Sequence, residues 1–569
     1  MNRRELLGVG IQAAALATAG RVLLSDARAD GDGRYTEAFA RLDRYVVQYL
    51  DDMHAPGLTL VLADASGVRR TCAYGFDDPA TRSALDVNDL FHIGSITKSF
   101  LGLCLVQLQE EGRLDLHAPL ARYLPALRLD GLTRPLTPHD LLTHSAGLPD
   151  GELFPADPAF RHRATAAPGT AFHYSNMGYE ALGLLLAELD GRSLAESFRA
   201  RILAPLGMHA TEPVITFDAL DRFARSFEPR LNDRPFPRRG ALIASPPLYF
   251  TGASGSIAST AADMGRYLAL LINRGATPQG RIVSAAGFER FAHPHVAAEH
   301  FGPGTSYGYG IAVDTLDGHA RLRHTGGMVS FASALEVDRD AEVGVFASIN
   351  AMQGLRPRPV AEFALRLLRA VREGRPLPEL PPRAPAHQVE GATDYAGRYA
   401  APDGRALLVV AEGDRLHLEQ PQGRFALEPW GGAEHAFVVP AAGEPGLFPI
   451  VFDRAGAESG PFRSLGWGRD WYAAEHAADA APPRLEVPEA WRPLEGHYRS
   501  EDPWIGSRRI VFRAGRLWLD GVVPLEPAAD GRFFLRDEPA SPEWAQFTDV
   551  VGGRARRLSL SGYELRRVG

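Results

Sequence analysis

The chain has 569 residues, 45% of them hydrophobic and 23% charged, the make-up of a globular protein long enough for several domains. Its formal charge of −8 and pI near 6.2 leave no basic surplus to neutralise phosphates, so neither nucleic acid nor an anionic lipid surface is expected as a partner. It contains no zinc-spaced Cys/His cluster, no phosphate-binding Gly-Lys loop and no dinucleotide fingerprint, so no metal and no cofactor is expected.

Residues 1–29 read as an export signal. Arg3-Arg4 precede a short apolar run from Leu6 to Leu24, interrupted by Gly8, Gly10, Gln12, Gly20 and Arg21, and Ala27-Arg28-Ala29 offers a small-x-small cleavage site. Asn2-Arg3-Arg4-Glu5-Leu6-Leu7 is also similar to a twin-arginine signal, which points to a periplasmic or secreted protein; an uncleaved anchor is the alternative. Residues 34–372 mix helical periods, Tyr35 to Tyr49 and Ala262 to Leu271, with strand-like runs, Leu58 to Ala63 and Val343 to Ile349, and so predict an α+β or α/β body.

Within that body the stretch Phe91-His92-Ile93-Gly94-Ser95-Ile96-Thr97-Lys98 leads into an uncharged, mostly apolar run over residues 99–109 that predicts a buried helix. Lys98 is the sole lysine among 61 basic residues. It would lie in the first turn of the helix, one turn after Ser95. A guanidinium stays protonated, whereas burial and the positive helix end both push an ammonium toward its neutral, basic form. A serine with such a base beside it and backbone N–H groups around it is an activated nucleophile. Cys72 and Cys104, in a strand-like run and in the apolar helix, read as two buried thiols, although an oxidising compartment would permit a bridge.

A second proton carrier is expected near the leaving group. Pro168-Gly169 opens a turn before His173-Tyr174-Ser175-Asn176, where Tyr174 and Asn176, two apart, can face the same way. A phenol beside an ammonium can relay protons, and an asparagine can hold both the lysine and a substrate carbonyl. A third stretch, His324-Thr325-Gly326-Gly327, ends a strand-like run with backbone open to close approach, so that the N–H groups of Ser95 and Gly327 could receive an oxyanion.

Two proline-rich breaks come next, at 373–390 and 477–490, and after the first the helical pattern disappears. Residues 391–476 and 491–569 are repeats of one another. Tyr395-Ala396-Gly397-Arg398-Tyr399 matches Leu494-Glu495-Gly496-His497-Tyr498, Gly413-Asp414-Arg415-Leu416 matches Ala514-Gly515-Arg516-Leu517, and Leu427-Glu428-Pro429 matches Leu525-Glu526-Pro527. Short alternating runs with Gly and Asp turns predict two small all-β, barrel-like domains, which would shape the mouth of the site or attach the protein to the envelope.

Ser95-Ile96-Thr97-Lys98, Tyr174-Ser175-Asn176 and His324-Thr325-Gly326, in that order, resemble the serine β-lactamase and penicillin-binding-protein superfamily, in its class C-like branch. The resemblance covers about residues 35–370 and implies an antiparallel sheet flanked by helices, with a helical subdomain. It implies Ser95 as the acylated nucleophile, Lys98 with Tyr174 as base and proton relay, and Asn176, His324, Thr325, Gly326 and Gly327 as substrate-binding. His144 and His173 read as structural. The two trailing domains resemble the extra barrels of D-aminopeptidase members. Where most lactamases of this branch carry a lysine, this chain has His324, an imidazole mostly neutral at pH 7. Esters, or amides recognised from their amino side, are therefore favoured over substrates held by a carboxylate. The expectation is a secreted serine hydrolase working through an acyl-enzyme on D-amino-acid peptides, peptidoglycan stems or small esters. The competing reading is a non-catalytic envelope protein that binds peptide or glycan in the same pocket.

Overall fold

The computed structural model describes residues 33–127, 129–153, 163–164, 166–352, 354–383, 387–421, 423–439, 444–454, 456, 458–477, 486–536 and 541–568, together with the backbone of 24–29. Of the export-signal stretch, residues 1–23 lie outside the described residues. Leu24–Ala29 is an edge strand paired with residues 70–74, so cleavage after Ala29 would remove it.

The chain divides into two compact units, the first made of residues 1–148, 161–228 and 243–383. Its ten-stranded sheet comprises β1 (Leu24–Ala29), β2 (Gly57–Asp64), β3 (Gly67–Asp78), β4 (Ser83–Ala84), β5 (Val296–Ala297), β6 (Ser306–Tyr307), β7 (Ala312–Leu316), β8 (His319–Met328), β9 (Phe331–Asp338) and β10 (Val343–Ile349). The strands run in the order β1-β3-β2-β10-β9-β8-β7-β6-β5, with β4 on β3, and each neighbouring pair is antiparallel. All residues of β2, β9 and β10 are buried, which requires both faces of the sheet's centre to be covered.

Six of its helices build and brace this body: α1 (Thr36–Met53), α2 (Thr97–Glu110), α3 (Pro138–Leu142), α4 (Asn176–Asp190), α5 (Ala261–Ile272) and α6 (Arg358–Glu373). Helices α1 and α6 meet edge to face through Tyr45 and Phe363, 4.8 Å between ring centroids. Each ends in a left-handed cap, His54 and Gly374. Helix α5 is capped by Thr260, whose hydroxyl accepts from the Asp263 N–H, and lies against β2 and β10, with Gly265 seated over Val61 and Gly344 under Leu268 and Ile272. Helix α2 is buried almost throughout, as its uncharged run requires. Cys104 on α2 and Cys72 on β3 are both buried free thiols.

The second unit holds both β-repeats, as two closed eight-stranded antiparallel barrels. The first runs from Gly397–Ala400 to Asp470–Ala474 and closes by pairing Tyr399 with Ala474; the second runs from Gly496–Arg499 to Tyr563–Arg567 and closes by pairing Tyr498 with Arg567. The repeated tyrosine has one task in both: Tyr399 donates to the Tyr395 carbonyl at 2.9 Å and Tyr498 to the Leu494 carbonyl at 2.8 Å. Its ring then fills the core with the repeated leucines, Leu416 and Leu427 in one copy, Leu517 and Leu525 in the other.

This unit also takes in residues 149–153 and 229–242. The Asp150 N–H donates to Glu543 at 2.5 Å, Arg509 binds the Asp233 carboxylate at 2.7 Å, and the Arg238 N–H donates to Glu428. Nothing periodic in these two short stretches marks them out in sequence.

Gly102, mid-way along α2, tests how closely this framework is packed. A Cβ there would stand 2.1 Å from the Tyr309 carbonyl oxygen, a backbone atom that cannot rotate away. In an exposed helix Gly→Ala stabilises by about 1 kcal/mol. Here we expect Gly102→Ala to destabilise by roughly 1–3 kcal/mol, read as a lower urea midpoint at unchanged m-value.

Candidate active site

Ser95 sits in a single 3₁₀ turn, Gly94–Ile96, that runs straight into α2 and puts Lys98 in its first turn. The turn is fixed by backbone approach. Gly94 has φ +53, and a Cβ on it would lie 2.7 Å from the Gly327 nitrogen; a Cβ on Gly326 would lie 1.9 Å from the Ile93 carbonyl oxygen. The backbone of β8 therefore rests directly on residues 93–94, which sets Gly327 beside the turn that holds Ser95. On the other side the Ile93 N–H donates to the Ile257 carbonyl at 3.0 Å, and the Ile257 N–H donates to the Thr97 hydroxyl at 3.2 Å.

Lys98 is fully buried, while Ser95 and Asn176 are partly exposed. Its Nζ lies 3.0 Å from Ser95 Oγ, 2.6 Å from Asn176 Oδ1 and 2.8 Å from the Ser254 carbonyl oxygen. It also lies 4.8 Å from the centroid of the Tyr174 ring and 5.4 Å from that of Tyr179. Three oxygens and two aromatic faces thus surround one nitrogen, an arrangement that can hold an ammonium and exchange a proton with the serine hydroxyl.

Each partner is itself held. Asn176 is the first residue of α4, whose N-cap Ser175 accepts from the Gly178 N–H at 3.2 Å. The Ser175 N–H in turn donates to His144 Nδ1 at 3.0 Å. That acceptor requires a neutral imidazole, and burial together with the neighbouring Lys98 charge holds the His144 pKa well below its usual value. The His144 ring centroid is 4.2 Å from that of Tyr174, so this histidine fixes both the start of α4 and the phenol before it. Ser254 is fixed by Glu180 on α4, whose carboxylate accepts from the Ala253 N–H at 2.9 Å and the Ser254 N–H at 3.0 Å. Glu180 has no signal in the sequence, since a lone carboxylate in a helix reads as a solvated face.

His324 lies within β8 and is only 2% exposed. Its Nδ1 stands 2.6 Å from the Thr325 carbonyl, which can only accept, so Nδ1 carries the proton and Nε2 accepts from the Tyr307 hydroxyl at 2.8 Å. Both ring nitrogens are engaged inside the protein, and burial, with the Lys98 charge second, pushes the pKa down to about 3. His324 is a neutral strut that presents no cation to a ligand. Gly326 is a buried spacer, while Thr325 and Gly327 are partly exposed. His173 donates its backbone N–H to the His144 carbonyl at 2.7 Å. Phe172, Phe301 and Tyr307 form an aromatic wall, with Phe301 5.9 Å from Tyr174 and 5.6 Å from His324 between ring centroids. Among the described residues one trio, His319, Asp338 and Asp340, is spaced to hold a cation. Its oxygens already serve Arg369 and the N–H groups of Ala320, Asp340 and Ala341.

Residues 42–370 match the Beta-lactamase family model. The chain belongs to the β-lactamase family. A penicillin-binding protein of Bacillus subtilis (strain 168) is 24% identical over 439 residues, covering 71% of this chain and 93% of that protein. The esterase EstB of Burkholderia gladioli is 30% identical over 324 residues, covering 48% of this chain and 79% of the esterase. Among solved structures, the octameric penicillin-binding protein homologue from Pyrococcus abyssi shares the fold, with TM-score 0.54 and 23% identity over 76% of this chain and 99% of that one. The family model and the two sequence relatives place the chain in the serine β-lactamase and penicillin-binding-protein superfamily.

Two predictions arise from the site. Glu180→Gln keeps one acceptor where two N–H groups need two, so the turn that carries the Ser254 carbonyl loosens. Turnover of a chromogenic ester should fall about tenfold in kcat with KM little changed, a loss that merely weaker substrate binding would not produce. For His324 the native pKa of about 3 lies below the ordinary 6.5, so the unfolded chain binds more protons between these values and stability falls on acidification. From pH 7.5 to pH 5 this one group should cost about 2 kcal/mol, and His324→Asn should flatten the pH dependence of the urea midpoint by that amount.

Proposed function

We propose that this β-lactamase-family protein is an exported serine hydrolase that acts through an acyl-enzyme on small esters or on amides such as D-amino-acid peptides and peptidoglycan stems. The observation that carries the reading is the Lys98 Nζ poised 3.0 Å from Ser95 Oγ and anchored by Asn176 and Ser254. Ser95 Oγ attacks the substrate carbonyl carbon and its proton passes to Lys98, with the Tyr174 phenol as relay. The oxyanion is received by the N–H groups of Ser95 and Gly327. The leaving group departs with that proton, and water, deprotonated by the same pair, cleaves the Ser95 ester. Asn176 steadies the lysine in each of its charge states and faces the substrate amide.

Substrate choice rests on His324. A neutral imidazole with both nitrogens engaged cannot pair with a carboxylate, which favours neutral esters and amides recognised from their amino side. The relatives include an esterase and a penicillin-binding protein, the two chemistries this site would divide between. Export rests on the Arg3-Arg4 and Ala27-Arg28-Ala29 signals alone.

The test is covalent mass gain after exposure to a fluorophosphonate and, separately, to a fluorescent penicillin. Wild type should label with the fluorophosphonate faster than with the carboxylate-bearing penicillin. Ser95→Ala should not label, and Lys98→Arg should label at least about 100-fold more slowly, because a guanidinium cannot accept the proton. Absence of labelling by both probes in folded wild type would overturn acyl transfer and leave a peptide- or glycan-binding pocket.

A further inference from the structure

The helices that begin at the site, α2 with Lys98 and α4 with Asn176, end together at a second polar cavity of about 460 Å³. Its walls carry four guanidinium groups, Arg113, Arg192, Arg201 and Arg281, and two carboxylates, Glu111 and Asp190. Arg201 spans the two helix ends, reaching Glu111 at 2.6 Å and Asp190 at 2.6 Å and 3.0 Å. Arg113 donates to the Leu189 carbonyl and lies 3.2 Å from Glu111 and 3.4 Å from Asp190. These two arginines neutralise the carboxylates at the helix C-termini, where positive charge is favoured, and Arg113 also satisfies the Leu189 carbonyl.

The other two are surplus. Arg192 is 52% exposed at its side chain and comes no nearer than 3.9 Å to Asp190, which Arg201 already holds bidentately. Arg281 donates to the carbonyls of Val283 at 3.0 Å and Arg274 at 2.5 Å rather than to an acid. Counted over its walls, the cavity sets four guanidinium groups against two carboxylates, a local excess of positive charge in a chain whose formal charge is −8. Guanidinium groups grip planar or tetrahedral oxyanions by paired N–H donors, and concave walls focus their field on a ligand of opposite sign.

We propose that this cavity is a binding site for a small dianion, a phosphate group or a dicarboxylate, separate from the Ser95 site and held mainly by Arg192 and Arg281. The volume falls within the range of small-molecule sites. The two charges match the surplus, and the helix ends that form the floor are fixed independently by Arg201.

The test is calorimetric titration of the full-length protein at constant ionic strength of about 0.1 M, with inorganic phosphate in one arm and succinate in the other. We expect one saturable site with Kd of about 1 mM or tighter for at least one anion. It should weaken at least about tenfold in Arg192→Gln/Arg281→Gln and in the same direction in Arg192→Gln alone, which leaves the Arg281 contacts to the Val283 and Arg274 carbonyls in place, the melting transition of each variant without ligand checking that it is folded. Binding of phosphate alone would assign a phosphate-bearing ligand, and binding of succinate alone a dicarboxylate. No saturable heat with either anion, or equal affinity in the double variant, would overturn the proposal.

Discussion

Everything at the Ser95 site depends on holding one amine nitrogen away from solvent. Lys98 is fully buried, and a buried amine is tolerated only if its hydrogen-bond donors are met. Here they are met by oxygens from three parts of the chain: Ser95 one turn before it, Asn176 at the head of α4 and Ser254 on the turn before α5. Two of those oxygens are backed by a further group, His144 behind Ser175 and Asn176, and Glu180 behind Ser254. The site is best understood as two nested layers around a nitrogen, in which the outer layer fixes geometry and the inner layer exchanges protons.

The second constraint is steric. Gly94 on Gly327, Gly326 on Ile93 and Gly102 on Tyr309 are backbone-to-backbone approaches with no room for a methyl group. They join the Ser95 turn to β8 on one side and α2 to the loop before β7 on the other. Cores repack by rotating side chains, but main chain pressed on main chain cannot give way. Glycine at these positions fixes the distance between nucleophile and strand to a few tenths of an ångström.

Much of this is legible in the sequence, for identifiable reasons. The sole lysine, placed in an uncharged helix, points to its own burial, and the order of the three motifs points to a β-lactamase-like fold. The two barrels are legible because a repeat doubles the signal: the Gly-Tyr pairs and the Leu-Glu-Pro triplets mark equivalent strands that would each be weak alone. Support at a distance is what a sequence does not convey. Glu180 is one of many helix carboxylates until Ser254 is seen above it, and His144 acquires meaning only when its Nδ1 meets the Ser175 N–H. The start of helix α4 is hidden as well, because Tyr174 and Asn176 read as a short polar run after the Pro168-Gly169 turn, which conceals Ser175 as an N-cap. Nor do residues 149–153 and 229–242 announce that they pack with the barrels; their partners, Glu543, Arg509 and Glu428, lie 190 to 393 residues on.

Closure of the two barrels bears on how a duplicated module avoids exchanging parts. Each barrel is a run of sequential hairpins closed by pairing its first and final strands, the junction at which a homologous neighbour could donate the wrong strand. The sealing strands have diverged in opposite directions. In the first barrel they end in Ala473-Ala474, with Ala474 buried opposite Tyr399. In the second they end in Arg566-Arg567, with Arg567 donating to the carbonyls of Pro493, Glu495 and Ala555 and to the Tyr498 hydroxyl. A misplaced final strand would force a guanidinium into the alanine position without those carbonyls, or leave them without their donor. The two closing pairs are thus chemically distinct, alanine against tyrosine in one copy and a carbonyl-bound guanidinium in the other.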